Sequence, residues 1–351
     1  MNSAKEYLGR LALIVATVVL TFAALEIASR LWRGPGWLLY WPHLPTQVLK
    51  PSDDRCGNLF DDRLGWVTSP NCATPSYHHD AKGFRVVPGP TGQLLGEPAV
   101  LVTGASFSYG DEVADGETWA AYLQGLIHRK VINAGVTGYS LDQTVLRSEQ
   151  LAKEIAPAAM IVTFTADDVA RGELSRVWGA EKPYFELVGG RLELRHVPVP
   201  QSEPVDLFWQ KALGWSLVAE KVVRALDEVD WWFANRRRAL PKGAGGSLAC
   251  PLMRRLAQLS IPTLVVAQYP PRTWRDTRKF AGGQRRLTGI VLRCAEEAGL
   301  GALDTFQIVQ DAVRAGGVDA LHRVWHHNSE GNRLIADAVA AELASRHMLQ
   351  P

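Results

Sequence analysis

Four short stretches of this 351-residue chain carry groups suited to acyl chemistry. Gly104-Ala105-Ser106-Phe107-Ser108-Tyr109-Gly110 presents a serine between two glycines. Glycines there let substrate and backbone approach the hydroxyl closely. Asn133-Ala134-Gly135-Val136-Thr137-Gly138-Tyr139 offers backbone N–H groups, freed by its glycines, for a developing oxyanion. Thr165-Ala166-Asp167-Asp168 adds two carboxyl groups. Trp325-His326-His327-Asn328-Ser329-Glu330-Gly331 adds imidazoles just before a helix, with Ser329 predicted as its N-cap. A hydroxyl nucleophile, an imidazole base and aimed N–H donors are the parts of covalent acyl transfer. Singly, each stretch is weak, because a strand-end serine is commonly a turn residue and a pre-helix histidine commonly structural. Their order and placement make the pattern specific.

The elements that must position these groups alternate along the chain. Short apolar runs at Ala99–Thr103, Lys130–Asn133, Ala159–Phe164, Pro262–Ala267 and, more weakly, Gly301–Asp304 read as buried strands. Helical patterns fall at Trp119–Ile127, Leu141–Ile155, Pro251–Leu259, Gly283–Ala298 and Ser329–Ser345. Alternation of this kind predicts an α/β domain, a parallel sheet covered by helices on both faces. Ligands bind such sheets beyond the carboxyl ends of the strands, where all four stretches lie. Residues from about 171 to 245 interrupt the alternation as an insertion within a domain spanning 96–351. The insertion contains a hairpin over Leu187–Leu194, turning at Gly189-Gly190, and a helical region over 205–235. Trp209, Trp215, Trp231 and Trp232 in that region are expected chiefly in core or helix packing rather than a ligand cage; contact with a bilayer and a lid are the alternatives.

Between Arg10 and Arg30 the chain reads LALIVATVVLTFAALEIAS, enough residues to cross a hydrocarbon core of roughly 30 Å at about 1.5 Å each. Glu26 is the one charge inside, near an end. Length, and the lack of an A-x-A site after it, favour an uncleaved anchor over residues 1–33 rather than a signal peptide. Trp32, Trp37, Tyr40 and Trp41 follow as an interfacial aromatic belt. Residues 34–95, rich in Pro, Gly and Asp, read as a linker and loosely structured entry segment. The four cysteines form no zinc pattern. They fit either two disulfides, Cys56–Cys72 and Cys250–Cys294, or four buried thiols. A net charge of +2 implies no nucleic acid partner, and the run Arg236-Arg237-Arg238 with Lys242 reads as a solvated helix end.

The four stretches resemble the blocks of the SGNH (GDSL-type) hydrolase family. Gly104–Ser106 is similar to the first block, Gly138 within NAGVTGYS to the second, Asp167-Asp168 to the third, and His326, five residues before Gly331, to the fourth. Leu64-Gly65-Trp66, Lys82-Gly83-Phe84-Arg85, SFSYGDEV and Glu117-Thr118-Trp119 resemble the membrane-anchored envelope members. The resemblance implies a three-layer α/β/α fold after one transmembrane helix. It implies Ser106 as nucleophile, His326 as base, and an oxyanion site from Ser106 and Gly138 with the third-block residue, here Asp167. No metal or organic cofactor is implied. Three departures stand out. Ala105 replaces an aspartate; Asp167 replaces an asparagine donor; and Val324 and Arg323 stand where the aspartate before His326 is expected. Asp319, in Asp319-Ala320-Leu321-His322, is the candidate to orient His326, with His322 as an alternative base and a Ser–His dyad as a third arrangement. Asp304 is expected to be structural. The implied activity is a serine esterase or O-acyltransferase on acylated, chiefly acetylated, envelope or extracellular polysaccharide. The domain would sit in the periplasm or outside the cell, anchored in the inner membrane. The alternatives are a catalytically impaired glycan- or partner-binding descendant and a membrane-surface lipid esterase or thioesterase.

Overall fold

The computed structural model describes residues 2–41, 56–89, 96–177, 180–201, 208–226 and 243–349. The chain divides into two compact units. The larger comprises Lys50–Ser175, Glu181–Gln201 and Pro241–Pro351; the smaller comprises Met1–Leu49, Arg176–Ala180 and Ser202–Leu240.

The smaller unit is built on α1 (Asn2–Arg33). Over Glu6–Arg33 this helix has a mean hydropathy of 2.4 and is long and apolar enough to cross a membrane. The larger unit holds the sheet. Its strands are β1 (Gly96–Thr103), β2 (Arg129–Asn133), β3 (Ala159–Phe164), β4 (Thr263–Ala267) and β5 (Gly301–Asp304). They are all parallel, in the order β2-β1-β3-β4-β5. After β1 come the single turn α2 (Ser106–Tyr109) and α3 (Trp119–Ile127); after β2, α4 (Leu141–Ile155); after β3, α5 (Ala166–Arg171). In the smaller unit, α6 (Phe208–Leu213) and α7 (Leu217–Ala225) are the described helices of the insertion. Then follow α8 (Ala249–Ala257), α9 (Arg278–Glu297), α10 (Phe306–Gly316) and α11 (Ser329–Ser345) of the larger unit.

Successive strand residues point to opposite faces, and both faces are buried. Val100, Val102, Ile161, Leu264 and Val266 pack with Trp119, Leu123, Ile335 and Val339 from α3 and α11. Leu101, Met160, Val162 and Val265 pack with Val145, Leu252, Met253 and Val291 from α4, α8 and α9. This is the three-layer α/β/α sandwich expected from the continuous apolar strands. The 2-1-3-4-5 order reverses direction between β1 and β3, and the crevice at that switch point is where doubly wound sheets bind ligands.

Both disulfides are formed, Cys56–Cys72 and Cys250–Cys294, the second tying α8 to α9. The hairpin pairs Tyr184–Val188 with Arg191–Arg195 through Gly189-Gly190. Several expectations need correction. Helix α9 begins at Arg278, not Gly283, because the Thr277 side chain caps it by accepting from Phe280 N. Helix α10 was not anticipated. Asn328, not Ser329, caps α11 by accepting from Gly331 N; the Ser329 hydroxyl instead meets that of Tyr122 at 2.6 Å. Trp209 and Trp215 do not pack in a core but stand 58% and 45% exposed. Trp231, Trp232 and the basic run 236–242 lie outside the described residues.

Candidate active site

Ser106 opens α2 directly beyond the carboxyl end of β1. The turn into it requires glycine: Gly104 has φ +151°, and a Cβ there would lie 2.7 Å from Thr163 O and collide with two side-chain hydroxyls. The first N–H groups of a helix lack intrahelical acceptors, and Ser106 N, at the start of α2, is one of these. Below the turn, Asn133 at the end of β2 donates through Nδ2 to Ser108 O at 2.9 Å. Gly135 packs so closely on α2 that a Cβ would sit 2.5 Å from Tyr109 N. The segment after Gly135 is pinned at every step. Val136 N donates to Gly104 O at 3.0 Å. Thr137 O accepts from Trp66 Nε1 at 3.1 Å, the Tyr139 hydroxyl donates to Trp66 O at 2.6 Å, and Tyr139 O accepts from Arg171 at 2.9 Å. Buried Gly138, with φ +86°, is held between these anchors.

His326 arrives from the loop before α11. Its Nε2 lies 2.9 Å from Ser106 Oγ, although 220 residues separate the two. Its Nδ1 lies 3.2 Å from Glu112 Oε2. The same carboxylate oxygen accepts from Trp325 N at 3.0 Å and His326 N at 2.9 Å. Glu112 therefore fixes both the ring and the backbone that carries it. It does so from a left-handed backbone conformation, φ +70°, uncommon for a residue with a side chain. The loop around it is braced by an earlier segment of the larger unit: buried Arg85 binds the Asp115 carboxylate, Gly110 O and Val113 O. Cys56–Cys72 and the bond from His79 Nε2 to the Tyr109 hydroxyl, 2.8 Å, stiffen the same side.

A second carboxyl group enters the site. Asp111 Oδ2 lies 4.0 Å from His326 Nε2, and the Thr137 hydroxyl donates to Asp111 at 3.0 Å. Its side chain keeps a quarter of its surface open, yet the dense protein around it raises its pKa, against the opposing pull of His326 and the Thr137 bond.

Sequence reasoning expected Asp319 to orient His326, and the structure corrects this. Asp319 is 89% exposed and its carboxylate pairs with Arg275. The four extra residues between Asp319 and the helix start carry it away to the surface, and Glu112 takes the place beside Nδ1. His322 does not meet Ser106; it is buried, its Nδ1 3.1 Å from Val318 O. Burial pushes its pKa down to about 4 and that of neighbouring His327 down as well. Asp167 lies half-buried in the first turn of α5, at the carboxyl end of β3, across the switch point from Ser106. Asp168 beside it accepts from Thr165 N at 2.7 Å and pairs with Arg171, so it braces α5 and the Tyr139 turn. Asp304 accepts from the Tyr269 hydroxyl and Phe306 N, a structural post. Cys250, Cys294 and Glu297 cluster, but the two sulfurs are bonded to each other and offer no thiolate.

The class that this fold and site define is a doubly wound α/β protein with a serine, a histidine and a glutamate in series at the switch point. No protein-family model and no curated protein matches the sequence. Among solved structures, the chain is similar to a member of the lipolytic protein G-D-S-L family from Veillonella parvula, at 14% identity over 71% of this chain and 98% of that one, TM-score 0.39. It is also similar to a catalytic mutant of Axe2, an acetylxylan esterase from Geobacillus stearothermophilus, at 14% identity, 72% and 96% coverage and TM-score 0.44. TesA is similar at 14% identity, 72% and 99% coverage and TM-score 0.42.

Proposed function

We propose that the chain is a serine esterase or O-acyltransferase working through an acyl-Ser106 intermediate. The observation that carries this is the series Ser106 Oγ, His326 Nε2, His326 Nδ1 and Glu112 Oε2, with successive distances of 2.9 and 3.2 Å across the two hydrogen bonds. A carboxylate at Nδ1 keeps the proton there and leaves the Nε2 lone pair for the serine proton. Ser106 Oγ attacks the ester carbonyl while its proton passes to Nε2. The carbonyl electron pair moves onto oxygen, which takes the N–H groups of Ser106 and Gly138 as donors. Glu112 stabilises the imidazolium so formed. Collapse of the intermediate breaks the C–O bond, and the Nε2 proton leaves with the alcohol. Water or a sugar hydroxyl, deprotonated by His326, then releases the acyl group and restores Ser106.

The substrate class we propose is an acylated, chiefly acetylated, envelope or extracellular polysaccharide, with α1 as an inner-membrane anchor and the domain outside the cytoplasm. The sequence resemblance to anchored envelope proteins supports this, as do the two disulfides, which need an oxidising compartment. Trp325 adds support: beside His326 it is 60% exposed, an aromatic plane suited to a sugar ring.

Asp167 carries the competing reading, a descendant that binds glycan without turnover, because an ionised carboxylate at the oxyanion would oppose catalysis. A serine-reactive fluorophosphonate distinguishes the two. The full chain is expected to be labelled, Ser106→Ala to lose the label, and release of acetate from acetylated glycan to fall with it by about 10⁴-fold or more. A chain that takes no label at any pH between 5 and 9 would sink the esterase reading.

A further inference from the structure

Glu26 is the only acidic residue between Arg10 and Arg30, and its partners among the described residues come from the smaller unit. Arg30 Nε donates to it at 2.8 Å. The Ser216 hydroxyl donates at 2.8 Å, and Leu217 N and Val218 N at 3.0 Å each. A glutamate inside the anchor thus caps the first turn of α7. Arg30 closes the same knot by donating to Trp37 O, Tyr40 O and Trp215 O at 3.1, 2.7 and 2.6 Å. Both side chains are almost wholly buried.

If α1 is a span, the depth of this knot follows from helix geometry. A hydrocarbon core of roughly 30 Å takes about 20 residues, which counted from Arg10 end at Arg30. Glu26 then lies one turn inside the acyl boundary, where a carboxylate must be satisfied by protein. The start of α7 is brought to that depth. Around it the apolar residues face outward: Phe208 is 70% exposed, Trp209 58%, Trp215 45%, Val222 51% and Leu226 67%. From the end of α1 and just beyond, Trp32 is 83% exposed and Leu39 93%. Cations stand at the same level, with Lys221 Nζ 5.0 Å over the Trp32 ring and Arg33 4.9 Å over Trp37. Aromatic and aliphatic groups beside Lys and Arg are the composition of a headgroup boundary facing anionic lipid.

We propose that Phe208–Leu226 is a lipid-seated element, its apolar side chains lying in the headgroup–acyl boundary of the bilayer beside the carboxyl end of α1, with Glu26 holding it at that depth. The proposal rests on reading α1 as a membrane span. Lipid is the favoured occupant because the start of α7 is hydrogen-bonded to the span through Glu26 and Arg30, and Lys221 of α7 lies against Trp32 at the end of α1.

The test uses the full chain in vesicles of phosphatidylethanolamine and phosphatidylglycerol. A benzophenone-bearing residue is placed at position 20, 209 or 222, one position at a time, and lipid adducts are read by mass spectrometry after irradiation. All three positions, 20 in the span and 209 and 222 in the proposed seat, are expected to give adducts, and none without irradiation. Adducts at 20 with none at 209 or 222, or protein-only adducts at 209, would overturn the lipid seat while leaving the span intact. No adduct at 20 would remove the span and the seat together. Glu26→Ala, which strips the α7 amides of their acceptor, is expected to abolish the adduct at 209 but not at 20; Glu26→Gln, which keeps an acceptor oxygen, is expected to retain both. An unchanged adduct at 209 in Glu26→Ala would refute the holding role of Glu26.

Discussion

Glu112 in the larger unit and Glu26 in the smaller one each accept two successive backbone N–H groups from a far segment of chain. Glu112 takes Trp325 N and His326 N, 213 and 214 residues on; Glu26 takes Leu217 N and Val218 N, 191 and 192 residues on. Each also holds a cationic or protonatable partner, the His326 ring in one case and Arg30 in the other. The settings differ. Glu26 is buried with a permanent cation and helps close a structure. Glu112 keeps a quarter of its side chain exposed beside a ring whose other nitrogen meets the Ser106 hydroxyl. The same clasp therefore serves architecture where it is dry and permanently paired, and chemistry where it is partly exposed and a hydroxyl waits on the far side of its partner.

That contrast predicts opposite consequences for the two glutamates. Glu112→Gln should cost about 10²–10⁴-fold in kcat, because it removes the charge that stabilises the imidazolium and unsettles the tautomer. Labelling of Ser106 by fluorophosphonate should slow with it, while thermal unfolding hardly moves. Glu26→Ala should do the reverse. Loss of one partner of a buried pair costs about 3–5 kcal/mol, read as a lower unfolding midpoint in detergent, with turnover by the remaining folded chain unchanged. A rate defect in Glu26→Ala equal to that in Glu112→Gln would erase the distinction.

The clasp at Glu112 also separates two adjacent imidazoles. His326 is held toward Ser106, whereas His327 turns into the interior with His322, their ring centroids 4.8 Å apart. Burial holds His327 and His322 below the ordinary histidine value, His322 at about 4. The unfolded chain binds these protons near pH 6.5 and the folded chain does not, so the stability they contribute is present above pH 6.5. It is lost as the pH falls toward 4, on the order of 3 kcal/mol for His322. Denaturant unfolding at pH 7, 5.5 and 4 should show this loss, and His322→Phe should flatten it. An identical slope in His322→Phe would place the acid sensitivity elsewhere.

Much of the sheet was legible because its strands are buried on both faces and read as unbroken apolar runs. Ala159–Phe164 and Gly301–Asp304 fall where the pattern put them. Helix α10 escaped notice because it follows a short, weak strand and fully buries only Val309. Ser106 and His326 were legible from glycine spacing and from the step into a final helix. Glu112 was not: it lies in a loop with no periodicity, and its partner comes from the other end of the chain. Two signals bore on it. The aspartate expected before His326 was missing, so another carboxylate had to be sought, and the run Gly110-Asp111-Glu112 lies within six residues of the nucleophile. Arg85, read only as part of a resemblance, turns out to clamp the loop that carries Glu112 through Gly110, Val113 and Asp115. Trp209 and Trp215 misled because composition records that a residue is apolar but not whether the fold covers it.

The smallest expected effect is the one that most directly divides Glu112 from the carboxylate that spacing favoured. Asp319 and Arg275 form a surface pair, 89% and 38% exposed, of a kind worth less than about 1 kcal/mol. Asp319→Ala should therefore leave kcat, the pH profile of turnover and the unfolding midpoint nearly unchanged, whereas Glu112→Gln shifts the first two. The one route by which Asp319 could matter is its backbone: Asp319 O and Ala320 O accept from Nδ2 of Asn328, whose Oδ1 caps α11 by accepting from Gly331 N, and an alanine keeps that carbonyl. A fall in kcat for Asp319→Ala as deep as that for Glu112→Gln, with the midpoint unmoved, would mean that the loop before α11 rearranges during turnover and that the resting contact with Glu112 is not the working one.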